Sequence, residues 1–188
     1  QVWKNHLSYL EIGTSLMKNV HQVSNHIIDS SILCIDIESP PMIFSKVTNN
    51  KNKNSVDYLT ADIFDNKKII EYFKNRENLK FDFIFSDALH TPEGIKSEYK
   101  LIIKENLSDD FIIYYDDLDF PGIEDEVYSI CEDLESNINK KVHFYSFSIY
   151  GWIGNHEKTH KNGIITSYNL EQLFHDNKFK LLNFKVLK

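Results

Sequence analysis

Hydrophobic and polar positions alternate with two different periods along the first part of the chain. Short apolar runs rich in β-branched and aromatic residues predict strands at residues 9–12, 31–36, 56–62, 81–87 and 111–115. Helical spacing or helix-start residues predict helices at 15–28, from 40, at 65–76, from 91 and at 121–137. Strands that are almost continuously apolar and alternate with helices predict a parallel sheet covered on both faces.

The pattern changes after residue 141. Residues 142–150, 163–167 and 179–187 have strand-like composition without helices between them, which predicts a hairpin-like antiparallel edge on the sheet. The chain has 188 residues and no internal repeat, which is enough for one hydrophobic core. We therefore expect residues 1–188 to form a single domain.

Composition narrows the functional classes. The formal net charge of −7 argues against a nucleic-acid partner, because phosphate binding needs clustered Lys and Arg. No apolar run approaches the roughly 20 residues that cross a bilayer, and the N-terminus lacks a signal-peptide pattern, so we expect no membrane partner and a cytoplasmic location. The two cysteines, Cys34 and Cys131, lie in apolar segments and are expected to be buried free thiols.

Polar residues follow each of the first five predicted strands. They are Glu11 and Gly13, Asp36 and Glu38, Asp62, Asp87 and His90, and Asp116, Asp117 and Asp119. In open α/β sheets, ligands bind at the carboxyl ends of the strands, near the point where strand order reverses. An acid at one strand end is unremarkable, but five in succession predict one site.

The first of these turns, Leu10-Glu11-Ile12-Gly13-Thr14-Ser15, resembles the first motif of class I S-adenosylmethionine-dependent methyltransferases, and the resemblance covers most of the chain. It implies a Rossmann-like, doubly wound, mostly parallel seven-stranded sheet with an antiparallel C-terminal edge. In that family the turn approaches the methionine part of the cofactor, where a Cβ would be in the way. The turn usually has two or three glycines, and here only Gly13 remains.

The resemblance also implies a set of residues that bind S-adenosylmethionine. Asp36, 23 residues after Gly13, matches the acid that accepts hydrogen bonds from both ribose hydroxyls, and Asp62 and Ile63 match the adenine-contacting segment. The complete set is Glu11, Gly13, Thr14, Ser15, Asp36, Asp62, Ile63 and Asp87. A plain strand-to-helix turn remains the alternative interpretation of Glu11 and Gly13.

Residues 83–94 and 112–117 resemble the fourth and fifth strand segments of small-molecule O-methyltransferases of the catechol and macrolide-sugar type. This implies a hydroxylated small-molecule substrate, a sugar or a phenol, and a Mg²⁺ ion held by Asp87, Asp116 and Asp117 that lowers the pKa of the substrate hydroxyl. His90 is the candidate general base. Alternatively, Asp116 and Asp117 only interact favourably with the dipole at the start of the following helix, and His90 is an ordinary loop residue.

A second motif competes with this interpretation. His156-Glu157-Lys158-Thr159-His160 matches the zinc-protease pattern H-E-x-x-H, which requires a helix. The flanking glycines and aromatic strand-like segments favour instead a polar loop at 150–162 that overhangs the strand ends, where Trp152, His156 and His160 either contact the acceptor or serve only the loop.

Two further hypotheses concern the whole chain. The missing glycines and the short segment before the first strand leave open a degenerate cofactor-binding domain that serves as an interaction module. Family members usually have helices before this strand. The sequence therefore predicts either a minimal enzyme that uses a partner subunit, which can be a second copy of the chain in a homo-oligomer, or a shortened chain.

Overall fold

The predicted alternation of strands and helices is present in the computed structural model, which describes residues 6–49, 51–76, 78–150, 158–171 and 181–186. The strands are β1 (Ser8–Ile12), β2 (Ser31–Asp36), β3 (Ser55–Thr60), β4 (Phe81–Ser86), β5 (Leu107–Tyr115), β6 (His143–Tyr150), β7 (Thr159–Thr166) and β8 (Leu181–Val186). The helices are α1 (Lys18–His26), α2 (Phe44–Thr48), α3 (Asn66–Lys74), α4 (Pro92–Glu98) and α5 (Ile123–Ile138), and α4 continues into a π-helical turn at Tyr99–Ile103.

These strands form one mixed sheet in the order β3-β2-β1-β4-β5-β7-β6-β8. The first five pair in parallel, and β7, β6 and β8 add to the β5 edge in antiparallel pairs. The prediction of a doubly wound, mostly parallel sheet with an antiparallel C-terminal edge is confirmed. Within the described ranges the sheet has eight strands, which equals the number of strand-like segments in the sequence and is one more than the family resemblance implies. The eighth, β8, pairs with the outer side of β6.

Side chains from both faces of the sheet form the core, and β1 shows how the two faces are divided. Leu10 and Ile12 belong to the larger cluster, which α3, α4 and α5 cover, whereas Tyr9 packs with Met17 and Val20 of the α1 segment. Burying an aliphatic side chain of this size contributes about 1.5–3 kcal/mol. The alternation therefore fixes which face each strand residue takes, and it places Glu11 on the α1 side.

One predicted boundary is met and another shifts in the structure. The helix expected from residue 91 begins as predicted, with the Thr91 hydroxyl accepting a hydrogen bond from the Gly94 N–H and Pro92 in the first turn. The strand expected at 163–167 begins four residues earlier, at Thr159, so the end of the predicted 150–162 loop is part of β7.

Cys34 and Cys131 are buried and not disulfide-bonded, as predicted. No helix of the described segments has the length and apolarity needed to span a membrane.

Candidate cofactor and acceptor site

The turn between β1 and α1 passes directly over the end of β4. The Gly13 N–H donates to the Ile35 carbonyl at 2.8 Å, and the Asp87 N–H donates to the Ile12 carbonyl at 2.9 Å. Gly13 has φ +84°, and a Cβ at this position would lie 2.2 Å from the Asp87 carbonyl oxygen. Glycine is therefore required here by the chain's own packing, whereas the family resemblance attributes it to the approach of a cofactor.

Two other residues of this turn have the backbone conformation that glycine adopts without strain. Ser15 has φ +45° and Met17 has φ +56°. The left-handed conformation costs an ordinary residue roughly 1–2 kcal/mol. The turn thus keeps left-handed positions beyond Gly13 although the sequence lacks the additional glycines.

Asp36 joins the ends of β1 and β2. Its Oδ2 accepts a hydrogen bond from the Ser15 N–H at 2.7 Å, and its Oδ1 accepts one from the Glu38 N–H at 2.9 Å. The Thr14 hydroxyl lies 3.4 Å from the same Oδ2. Because a carboxylate has about four acceptor positions, this half-buried group keeps capacity for further donors.

Glu11 is a buried acid at the end of β1. Only 1% of its surface is exposed, and its Oε2 accepts the Tyr9 hydroxyl at 2.5 Å. Burial, assisted by the neighbouring carboxylates of Asp87 and Asp36, raises the pKa of Glu11 to about 8, although the Tyr9 hydrogen bond acts in the opposite direction. Glu11 is therefore mostly neutral at pH 7, and a cation bound beside it would favour its ionised form.

Two cavities meet at this turn and share Gly13, Ser15 and Asp87 as walls. The larger has a volume of about 430 Å³, and a smaller recess of about 170 Å³ lies beside Glu11 and Thr14. The larger cavity is lined by Ile12, Gly13, Ser15, Ile35, Asp36, Ile37, Ala61, Asp62, Ile63, Phe64, Asp87, Ala88 and Leu89. The structure thus brings all eight residues of the predicted cofactor set to the two cavities.

Asp62 is the most exposed of the acids in the larger cavity. Its Oδ1 accepts a hydrogen bond from the Phe64 N–H at 2.9 Å, which shapes the turn after β3. Ile63 is buried, whereas Phe64 and Ile37 expose at least half of their surface at the cavity. The cavity therefore combines carboxylate acceptors with apolar walls that can contact a flat ring.

His90 lies between two carboxylates at the ends of β4 and β5. Its Nε2 is 3.1 Å from Asp87 Oδ1, and its Nδ1 is 2.9 Å from Asp117 Oδ2. The hydrogen bond to Asp87 raises the pKa of His90 above its usual value, with Asp117 adding to the effect against partial burial. Since carboxylates only accept, the Nε2 contact is a hydrogen bond in which the ring donates, and the Nδ1 contact is an ion pair when the ring is an imidazolium. A general base needs a free lone pair, so His90 can act as one only after giving up one of these contacts.

His160 is the functional candidate that sequence reasoning located least well. The polar loop predicted to overhang the strand ends placed it nearby, yet His160 lies inside β7 and is almost fully buried. Its Nε2 is 2.6 Å from Asp116 Oδ1, and its Nδ1 is 3.4 Å from Asp117 Oδ1 and 3.3 Å from Asp119 Oδ2. Trp152 and His156, predicted for the same loop, lie outside the described residues.

The position of His160 also bears on the zinc-hydrolase alternative. The H-E-x-x-H pattern needs both histidines on one face of a helix, but Thr159 and His160 begin a strand. The helix that this motif requires is therefore not formed at its second histidine, and the zincin hypothesis is wrong.

The three carboxylates predicted to hold Mg²⁺ do not fit that ion as a set. Where the chain is described, the group of three or more acidic or imidazole side chains whose ligand atoms all lie within 4.8 Å of one another is Asp87, His90 and Asp117. Asp116 is outside this group and contacts His160 instead. Because Mg²⁺ prefers oxygen ligands and water, an imidazole between two of the carboxylates is an unfavourable donor set for it.

Comparisons with known proteins identify the fold and not the family. No protein-family model matches the chain, and no curated protein matches it. A spermidine synthase in complex with the transition-state analogue AdoDATO matches with a TM-score of 0.54 and 12% identity, over 92% of this chain and 61% of that one. This chain thus spans about three fifths of the length of that synthase.

Two methyltransferase structures match over most of both chains. The N-methyltransferase NodS from Bradyrhizobium japonicum WM9 has a TM-score of 0.54 and 12% identity, over 87% of this chain and 86% of that one. A precorrin-6y C5,15-methyltransferase from Geobacter metallireducens GS-15 has a TM-score of 0.53 and 15% identity, over 89% and 82%. At such identities the likeness shows the fold, which is the Rossmann-like α/β fold of these methyltransferases.

Proposed function

We propose that this domain binds S-adenosylmethionine at the ends of β1, β2 and β3 and transfers its methyl group to a hydroxyl of a small molecule, a sugar or a phenol. One observation carries the proposal. Every residue that the methyltransferase motifs assign to the cofactor lines one of two adjoining cavities, where strand order reverses between β1 and β4.

The charges around the cavities suit this cofactor. S-adenosylmethionine has a sulfonium and an ammonium group, and three of the acids that line the cavities, Glu11, Asp36 and Asp87, surround the β1 turn. Glu11, mostly neutral at pH 7 by itself, would ionise beside these cationic groups. Asp36 would accept the ribose hydroxyls, and Glu11 and Asp87 would face the methionine end. Asp62, Ile63 and Phe64 would hold the adenine against the apolar wall of the larger cavity.

The acceptor would lie on the β4 and β5 side of Asp87. Bound S-adenosylmethionine supplies a methyl group on a positively charged sulfur, and in the transfer the acceptor oxygen forms the new bond to carbon while the sulfur keeps the electron pair of the broken one. The chain must orient the hydroxyl and take its proton. His90 remains the predicted base, acting from the state in which one of its carboxylate contacts is released.

Isothermal titration calorimetry with S-adenosylmethionine and S-adenosylhomocysteine tests the binding step. Asp36→Ala removes acceptors for two hydroxyl groups, and hydrogen bonds to a charged acceptor contribute about 1.5–3 kcal/mol each, so we expect affinity to fall at least about 100-fold. Asp109→Ala, at the amino end of β5, is the matched control and should bind as the unaltered chain does. The binding proposal fails if the unaltered chain takes up neither ligand, or if Asp36→Ala binds them equally well.

Transfer from radiolabelled S-adenosylmethionine to a panel of phenols, sugars and amines tests the acceptor class. Label on a phenol or sugar supports the hydroxyl proposal, whereas label on amines alone would replace it. Tight cofactor binding without transfer to any of them would favour the alternative of a cofactor-binding interaction module.

A further inference from the structure

The carboxylates that follow β4 and β5 are all in contact with imidazoles. His90 reaches Asp87 at 3.1 Å and Asp117 at 2.9 Å, and His160 reaches Asp116 at 2.6 Å. The two rings also share a carboxylate, because Asp117 Oδ1 is 3.4 Å from His160 Nδ1 while its Oδ2 faces His90. Acidic and imidazole side chains thus alternate from the larger cavity to β7, in the order Asp87, His90, Asp117 and His160.

Three features of the surrounding structure fix the positions of these acids and imidazoles. The Leu118 N–H donates to the Lys161 carbonyl at 2.9 Å, and the Lys161 N–H donates to Asp119 Oδ2 at 2.6 Å, so the loop after β5 is tied to the first residues of β7. Asp117 has φ +58°, a conformation that a non-glycine residue seldom adopts, and its side chain is only 13% exposed. His90 comes from the loop before α4, and its ring lies 5.3 Å from that of Phe120.

We propose that the imidazoles of His90 and His160 occupy, at this site, the place that a divalent cation has in metal-dependent O-methyltransferases. They hold the like-charged carboxylates of β4 and β5 together, and they contact the oxygens that a cation would need: Asp87 Oδ1, Asp117 Oδ2 and Asp116 Oδ1. His160 is a positioning residue, and His90 has this positioning role in addition to its proposed role as the base. This inference rests on the proposed function in one respect, namely that the cavities beside these side chains are a methyl-transfer site.

Because the imidazoles contact these carboxylate oxygens, the acidic site is expected to bind no divalent cation. Substitution of His90 is expected to reverse this. Removing the His90 ring frees Asp87 Oδ1 and Asp117 Oδ2, while His160 still holds Asp116 and contacts Asp117 Oδ1. Two neighbouring carboxylates with room for water are a suitable site for Mg²⁺ or Mn²⁺. Loss of the histidine is therefore expected to create cation binding that the unaltered chain lacks.

Calorimetric titration of the full chain with MgCl₂ and MnCl₂, after dialysis against a chelator, tests the proposal without cofactor or acceptor. We expect no saturable binding to the unaltered chain and saturable binding to His90→Ala, so that the apparent affinity for the cation rises at least tenfold. Asp117→Asn in the same background should abolish it. His26→Ala, which removes an exposed histidine of α1, is the matched control and should behave as the unaltered chain does.

Three results would overturn the proposal. One is stoichiometric Mg²⁺ or Mn²⁺ binding to the unaltered chain that Asp87→Asn or Asp117→Asn removes. Another is saturable Zn²⁺ or Co²⁺ binding to the unaltered chain that His90→Ala removes, because the imidazole would then be a ligand. The third is a folded His90→Ala chain, judged by circular dichroism, that binds no more cation than the His26→Ala control.

His160 is tested separately because it is buried. His160→Asn keeps a donor near Asp116, and if it does not fold, the titrations of the unaltered chain and of His90→Ala still decide the proposal. In the transfer assay, excess EDTA should leave turnover unchanged, and His90→Gln should lower kcat more than it changes KM for the cofactor. A chain that binds no S-adenosylmethionine would refute the proposed function and leave the cation titrations fully interpretable.

Discussion

Glu98 provides a direct test of the electrostatics behind the site. This residue is the last of α4 and is completely buried, with its Oε2 accepting the Ser86 hydroxyl at 2.5 Å. Its other oxygen has no hydrogen-bond partner among the residues that the structure describes. Burial raises the pKa of Glu98 to about 8, although the Ser86 hydrogen bond acts in the opposite direction. The folded chain therefore holds a neutral carboxylic acid against Ser86, the residue before Asp87.

Glu98→Gln replaces this acid by a neutral group of almost the same shape. In the unfolded chain Glu98 has its ordinary pKa of 4.5, so it releases its proton on unfolding at neutral pH. The contribution of the protonated Glu98 to the free energy of unfolding is complete below pH 4.5. It is lost as the pH rises towards 8, at about 1.4 kcal/mol per pH unit. Between pH 5 and pH 8 the unaltered chain should thus lose on the order of 4 kcal/mol that the glutamine variant keeps.

The measurement is urea unfolding followed by far-ultraviolet circular dichroism between pH 5 and pH 8. The free energy of unfolding of Glu98→Gln minus that of the unaltered chain should grow steadily with pH. Glu71→Gln, on the exposed face of α3, should show no such growth. Because Glu11 titrates in both chains, the difference isolates Glu98. Parallel pH profiles for the unaltered chain and Glu98→Gln would refute the assignment of a neutral, buried acid.

Two further predictions concern the β1 turn. Gly13→Ala should lower the free energy of unfolding by at least about 3 kcal/mol in urea, because its Cβ meets the Asp87 carbonyl and its φ is positive; a variant as stable as the unaltered chain would contradict this packing. Affinity for S-adenosylmethionine should rise from pH 6 to pH 8, since a bound cation lowers the pKa of Glu11 and releases its proton. Calorimetry in buffers of different ionisation enthalpy measures that proton, and Glu11→Gln should bind without releasing it.

The sequence was sufficient to predict the sheet and one side of the site. Parallel strands bring their carboxyl ends to one edge, so apolar runs followed by acids located Asp36, Asp62 and Asp87 without any knowledge of side-chain contacts. The position of His160 depends instead on the antiparallel register in which Tyr115 pairs with Gly163. Periodicity does not determine the register between two strands, and the first residues of β7 are polar, so nothing in the pattern marked them as strand.

The scarcity of glycine in the first turn was the main sequence feature against a cofactor site. The structure makes this feature weaker evidence. Gly13 is the position where the backbone of Asp87 and Ala88, just after β4, leaves no room for a Cβ. Ser15 and Met17 adopt left-handed φ values as well, and there the cost is backbone strain of roughly 1–2 kcal/mol each and not a steric clash. A strain of that size can be offset locally, since the Ser15 N–H is bonded to Asp36 and Met17 is buried against β1 and β2. In this chain a single glycine is therefore enough to keep the path of the turn, and glycine count alone does not distinguish a degenerate domain from a functional one.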